Sequence, residues 1–314
     1  MCRLLRFYKV MHDDLQFYEG KKVAVVGASG YVGSLLCPRL KTYGAEVVEF
    51  SKSNSDITQK TFWEKLFSKP IDIVFHLAAY EARVPDVNLD LQVNAVSVLQ
   101  CLEAAKNLAR KPCVVFSSSS NLAGKADKLP VNENTPDNPM TIYAIHKLLA
   151  ERYLYHYKIN FQIPNITLRL ANVYGPSASL ELSKRVVLNK LVAMAASGEE
   201  LKLFANQDKS RDFVYIEDVL NAFLLAGRFA KDAKQKFYVI GSEEGTTFKK
   251  CVEIITRSSG KEILVTKSET NLPEVEMREF VADSSAFKKL TGWQVHTHLE
   301  EGIKKTFDYF KEKV

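Results

Sequence analysis

Lys21-Lys22-Val23-Ala24-Val25-Val26-Gly27-Ala28-Ser29-Gly30-Tyr31-Val32-Gly33 reads as a strand emptying into a glycine turn, with Ser34-Leu35-Leu36 opening a helix behind it. A tight turn at a helix N-terminus aims backbone N–H groups and the helix dipole at an anion, here the pyrophosphate of a dinucleotide. Gly27 permits the turn, Gly30 lets the backbone approach the phosphates, and Gly33 lets the helix pack on the strand. Ser29, Tyr31 and Val32 complete the loop that would hold the cofactor.

Outward from this loop, the first half alternates strands and helices. Strands are expected at 46–50, 71–77, 113–117 and 166–170, and helices at 34–43, 58–67, 94–108 and 140–157. Near-continuous apolar strands alternating with helices predict an α/β fold, a doubly wound parallel sheet of the Rossmann type. Ligands of such sheets bind beyond the carboxyl ends of the strands.

After Pro176 the regularity fades, and a smaller C-terminal substrate lobe is expected. The predicted organisation is an N-terminal extension at 1–20 packing on the edge of the first strand, and a dinucleotide-binding domain at 21–175. Residues 208–240 return to that domain, while 176–207 and 241–314 form the substrate-binding lobe. Helices are expected near 247–259, 284–290 and 299–312.

The chain has 314 residues, 46% of them hydrophobic, enough for one large core or two modest ones. No apolar run approaches the roughly 18 residues that span a bilayer, and the first 20 residues lack a secretory pattern. Five scattered cysteines without metal spacing read as buried thiols in a reducing cytoplasm. The net charge of +6 comes from lysines spread along the chain. That suits an anionic nucleotide substrate and gives no nucleic-acid-binding arm.

Catalysis points to Tyr143-Ala144-Ile145-His146-Lys147. With Asn138 as cap and Pro139 in the first turn, Tyr143 and Lys147 share one helix face. A free tyrosine titrates near ~10; an ammonium and an oxidised nicotinamide beside it would favour phenolate. Upstream, Phe116-Ser117-Ser118-Ser119-Ser120 puts hydroxyls at the end of a buried strand.

Together, Gly27-x-x-Gly30-x-x-Gly33, His76-Leu77-Ala78-Ala79, Asn94, the serine run, Tyr143-x-x-x-Lys147, Leu168-Arg169-Leu170-Ala171-Asn172-Val173-Tyr174-Gly175-Pro176 and Arg211-Asp212-Phe213-Val214-Tyr215-Ile216-Glu217-Asp218 resemble the extended short-chain dehydrogenase/reductases. Within them the chain is similar to the nucleotide-sugar epimerases, dehydratases and reductases, from about Gly20 onward. The resemblance implies Tyr143 as acid/base, Lys147 on the nicotinamide ribose, and Ser119 on the reacting sugar oxygen. It also implies Asp56-Ile57 at the adenine, Leu77, Ala78 and Ala79 along the cofactor, and Asn94 as a structural residue beside it. Asn172, Arg211 and Arg278 would hold the substrate, with Arg278 displaced from the family's usual position. A guanidinium suits a pyrophosphate because it can bind through two hydrogen bonds at once. His76 is read as structural, and no metal is implied.

Departures from the family narrow the reaction. The acidic residue that ends the second strand in NAD-preferring members is replaced by Ser51, followed by Lys52 and Ser53, which could bind a 2′-phosphate. NADP is therefore expected, with Glu49 leaving NAD open. After Ser119 stand Ser120-Asn121 in place of the dehydratases' Asp-Glu, and no cysteine stands beside the strand end. Hydride exchange at C4 of a nucleotide-diphospho-sugar remains: reduction of a 4-keto sugar first, 4-epimerisation with retained NAD as the alternative. A non-catalytic NADP sensor or scaffold is the third reading, opposed by intact Ser119, Tyr143 and Lys147. A homodimer is expected through helices 94–108 and 140–157.

Overall fold

The computed structural model describes residues 15–81, 86–183, 186–203, 209–260, 263–267 and 279–313. Its strands in chain order are β1 (Lys22–Val26), β2 (Glu46–Phe50), β3 (Ile73–His76), β4 (Cys113–Ser119), β5 (Asn165–Leu170), β6 (Asn172–Tyr174), β7 (Leu201–Leu203), β8 (Arg211–Tyr215), β9 (Tyr238–Ile240), β10 (Gly245–Thr246) and β11 (Val265–Lys267). The helices are α1 (Gly33–Thr42), α2 (Lys60–Phe67), α3 (Val87–Leu91), α4 (Ser97–Ala105), α5 (Ile142–Phe161), α6 (Val187–Ala196), α7 (Ile216–Phe229), α8 (Phe248–Ser259), α9 (Ser285–Thr291) and α10 (Leu299–Lys311).

A six-stranded sheet runs β2-β1-β3-β4-β5-β9, every pair parallel. The chain leaves β1 toward β2 on one side and crosses to β3 on the other, so the switch point lies between β1 and β3. Interior strands β1, β3, β4 and β5 bury nearly every side chain because helices cover both faces. One face packs with α1 and α7 through Val23, Val25, Phe75, Val115 and Leu168; the other carries Trp63, Val74, Val98, Leu102, Val114 and Leu154. Strand β2 is the edge and is largely exposed.

Three sequence expectations change. Described residues 15–20 do not pack on an edge of the first strand, because β1 is interior and has none. Instead Tyr18 lies buried, its hydroxyl donating to Leu224 O of α7 at 2.6 Å. The helix expected at 94–108 is a longer, broken element: α3, a π-helical turn at Gln92–Val96, then α4. Strand β8 does not rejoin the main sheet; it pairs with β6 and β10 in a three-stranded sheet, and α7 and β9 make the return. The chain switches sheets within two residues, since Ala171 N still donates to Ile240 O while Asn172 already pairs with Phe213. Cys37, Cys101, Cys113 and Cys251 are buried and free.

Candidate active site

The glycine turn is built as its spacing requires. Gly27 has φ +93°, a conformation L side chains rarely adopt, and a Cβ there would lie 2.6 Å from Ala78 N. A Cβ on Gly33 would collide with the Gly27 carbonyl oxygen, so the close approach of α1 to the strand end depends on glycine. No side chain caps α1; Ser34 N donates to Gly30 O and Leu36 N to Val32 O, so the helix begins directly on the glycine turn. This is a cradle that fits a dinucleotide pyrophosphate, with Leu77, Ala78 and the more exposed Ala79 along its β3 side. Ser29 is exposed at its rim and Val32 precedes the helix.

The Tyr31 side chain reaches the loop after β6. Its hydroxyl donates to Gly175 O at 2.7 Å and accepts from Asn189 Nδ2, clamping the turn to the loop after β6. Asn94 is likewise spent on the chain: Nδ2 donates to Tyr80 O at 2.7 Å and Asp90 Oδ1 at 2.8 Å, and Oδ1 accepts Tyr80 N. It shapes the loop after β3.

At the end of β2, Gly27 N and Ala28 N donate to Phe50 O, bringing Ser51 beside the turn. Ser51 and Ser53 hydroxyls lie 2.8 Å apart, Asn54 closes the loop onto Ser51 N, and Lys52 is exposed. Glu49 pairs with Lys41 of α1 at 2.6 Å. Asp56 accepts from Thr58, and Ile57 O accepts from Trp63 Nε1, so this pair lies in the turn that leads into α2.

Helix α5 starts two residues later than expected: Thr141, not Asn138, is the cap, its Oγ1 accepting Ala144 N at 3.1 Å. Asn138 N instead donates to Leu122 O. From α5, Lys147 Nζ donates to Ser117 O at 2.8 Å and lies 5.9 Å from the Tyr143 ring centroid. Ser119 ends β4, where its hydroxyl accepts Asn121 N and acts to lower the pKa of the Tyr143 phenol. Ser119, Tyr143 and Lys147, separated by up to 28 residues in sequence, thus meet at one strand end.

Burial pushes the Tyr143 phenol well above its ordinary range, with the Glu81 and Asp90 carboxylates adding and the Ser119 hydroxyl opposing. The lowered phenol expected from the sequence is therefore not a property of the Tyr–Lys pair alone, because desolvation outweighs it. Burial also pushes Lys147 down to about 8, against the pull of Glu81, Glu151 and Asp90.

His76 lies buried against Trp63, with Nε2 3.0 Å from Ser97 Oγ. Since Ser97 Oγ donates to Val93 O, Nε2 carries the proton. Burial and the Lys147 charge push its pKa down to about 3, so it is a neutral packing residue.

On the substrate side, Asn172 Nδ2 donates to Asp212 O and ties β6 to β8. Arg211 is buried, with Nη1 donating to Ser210 O. Arg278 lies outside the described residues.

Sequence reading missed the polar groups behind the cluster. Glu151 accepts Ser118 Oγ at 2.5 Å and Arg169 through Nε and Nη2; Arg169 also pairs with Asp137 and stacks on Phe237. Asp90 meets His146. Arg169 within a fully buried strand was the visible signal, since a buried guanidinium requires a carboxylate.

A glycine cradle on a helix N-terminus, opening beside a Ser–Tyr–Lys cluster, defines an NAD(P)-dependent enzyme of the extended short-chain dehydrogenase/reductase type. Residues 23–241 match the NAD dependent epimerase/dehydratase family, and the chain belongs to it. A UDP-glucose 4-epimerase of Mycolicibacterium smegmatis is 28% identical, over 93% of this chain and 99% of its own. The UDP-glucose 4-epimerase of Thermotoga maritima, solved with UDP-glucose, superposes with a TM-score of 0.80 at 26% identity, covering 93% and 99% of the two chains. UDP-glucuronic acid 4-epimerase of Bacillus cereus in complex with NAD gives 0.78 at 25% identity over the same shares.

Proposed function

We propose that the chain catalyses hydride exchange at C4 of a UDP-sugar, acting in the cytoplasm as a 4-epimerase. The observation that carries this is the convergence of Ser119, Tyr143 and Lys147 at the end of β4, beside the Gly27–Gly33 cradle. When bound, the nicotinamide supplies a hydride acceptor and, oxidised, a positive charge. Tyr143 Oη moves the proton of the C4 hydroxyl, Ser119 Oγ holds the same oxygen, and Lys147 orients the ribose. Asn172 and Arg211 would take the sugar and diphosphate, and Arg278 the nucleotide.

The names of the relatives favour epimerisation over the net reduction that the sequence put first. A second reading, NADPH-dependent reduction of a 4-keto sugar, is favoured by the end of β2. There Glu49 is tied to Lys41, and only Ser51, Lys52 and Ser53 stand where a carboxylate would repel a 2′-phosphate. The nicotinamide absorbance of the purified protein separates the readings. Retained cofactor with interconversion of UDP-glucose and its C4 epimer supports the first. An empty site with NADPH consumed by a 4-keto sugar supports the second, and failure to bind either dinucleotide removes both.

Cofactor choice has its own test. Ser51→Asp combined with Lys52→Asn is expected to shift preference toward NAD(H) by on the order of 1–3 kcal/mol, the usual worth of charge-assisted hydrogen bonds. The ratio of kcat/KM, or of Kd where the cofactor is retained, measures it. A parent chain that already prefers NAD(H) ends the reading of Ser51 and Lys52 as a 2′-phosphate site.

The chain is also proposed to pair with a second copy through α4 and α5. Leu99, Leu148, Leu149 and Tyr153 are only half-buried, and Ile145 is 47% exposed. A two-fold pairing would cover this face. Light scattering at micromolar concentration is expected to give twice the chain mass, and a monomer there counts against the pairing.

A further inference from the structure

We infer that Asp90 and His146 form a positioning pair, holding the catalytic helix against the loop after β3 and setting the charge that Tyr143 feels. The inference rests on the reading above, in which Tyr143 moves the proton. Asp90, near the end of α3, is 1% exposed, and His146 on α5 is 9% exposed. His146 Nδ1 lies 2.8 Å from Asp90 Oδ1. A carboxylate oxygen only accepts, so Nδ1 carries the proton.

The same oxygen accepts Asn94 Nδ2, and Asn94 grips Tyr80 through both its N–H and its C=O. One carboxylate thus joins the catalytic helix, the π-helical turn and the loop beyond β3. Its other oxygen, Oδ2, is buried with no hydrogen-bond partner among the described residues.

A buried carboxylate keeps its charge only where donors or a nearby cation offset its desolvation. The neighbours are at hand. Tyr143 and Lys147 lie on the same helix as His146, and the Asp90 charge raises the pKa of both. The other charged groups acting on the cluster are Glu81 from the loop after β3 and Glu151 from α5. His146 and Asn94 disperse the Asp90 charge by donating to it. Without His146 the carboxylate would bear harder on the phenol; without the carboxylate's charge the phenol would ionise more readily.

The two substitutions therefore move Tyr143 in opposite directions, which a merely structural role would not do. Asp90→Asn is expected to lower the pH at which Tyr143 titrates by about one unit, an effective dielectric near ~20 setting the scale. His146→Leu is expected to raise it, and His146→Asn, whose amide replaces the Nδ1 donor, to leave it close to the parent.

Two measurements on the full chain read this. One is the pH dependence of kcat. The other is the tyrosinate ultraviolet difference between each variant and the same variant carrying Tyr143→Phe, taken with oxidised dinucleotide bound so that its positive charge offsets the burial of the phenol; it needs no sugar. Under epimerisation the moving limb is the acidic one, because phenolate is needed; under reduction it is the alkaline one.

Opposite shifts with rescue by His146→Asn support the pair. Shifts in one direction, or none, overturn it. Should His146→Leu fail to fold, Asp90→Asn against His146→Asn decides: a downward shift in the first alone supports the pair, and its absence overturns it. A parent chain that turns over neither UDP-glucose nor a 4-keto sugar sinks the functional reading, and the ultraviolet titration still decides the pair.

Discussion

Tyr143→Phe is expected to lower turnover by roughly 10²–10⁴-fold, the usual contribution of a positioned acid/base group, while leaving dinucleotide binding largely intact. The phenol is the one group in the cluster able both to give and to take a proton at the substrate oxygen. Ser119 offers a hydroxyl of much higher pKa, and Lys147 is committed to Ser117 O. Removing the hydroxyl leaves the glycine turn untouched, since Gly27, Gly33 and α1 would meet a dinucleotide through backbone. Steady-state turnover with UDP-glucose, alongside titration of bound nicotinamide, is the measurement. Turnover within a few-fold of the parent takes Tyr143 out of the mechanism. A parallel loss of dinucleotide affinity would make its role one of binding.

Arg169→Ala is expected to destabilise the fold by about 3–5 kcal/mol, the scale for removing one partner of a buried ion pair. Arg169 is 3% exposed and meets Glu151 through two hydrogen bonds, at 2.9 and 2.6 Å, and Asp137 at 2.7 Å. Its guanidinium also lies 3.4 Å from the Phe237 ring centroid. Truncation strands the Glu151 carboxylate in the interior with Ser118 as its remaining donor partner. Arg169→Lys keeps the charge and loses the two-pronged geometry, so a smaller loss is expected there. Denaturant unfolding of the full chain reads both. A loss under about 1 kcal/mol for Arg169→Ala would mean that the neighbouring side chains or water satisfy Glu151 unaided.

Much of the architecture was legible because local rules agree with one another. The apolar runs of β1, β3, β4 and β5 admit only a sheet covered on both faces, and the spacing Gly27-Gly30-Gly33 between strand and helix admits few uses. Tyr143 and Lys147 come together through the pitch of a single helix, so their proximity follows from sequence. The start of α5 was misplaced by two residues because Asn138 and Thr141 are both able to cap. The choice fell to Leu122, whose carbonyl takes the Asn138 N–H.

What the sequence determined by itself is the class of fold, the glycine turn and the Tyr143–Lys147 spacing, for these rest on periodicity and on short spacings; Ser119 entered only through the family resemblance. What only the tertiary structure decided is where each polar side chain is spent. The Tyr31 side chain binds Gly175 O, and that of Asn94 binds Tyr80 and Asp90, partners that no spacing in the chain announces. The pairs Asp90–His146 and Glu151–Arg169 span 56 and 18 residues, and they form because a buried charge must find donors or a counter-charge among the elements packed around it. Desolvation, too, belongs to the folded state: it raises Tyr143 and lowers Lys147 from the values their composition would suggest. A linear pattern records neighbours along a helix or strand, whereas the partners of a buried charge are set by which elements the core brings together.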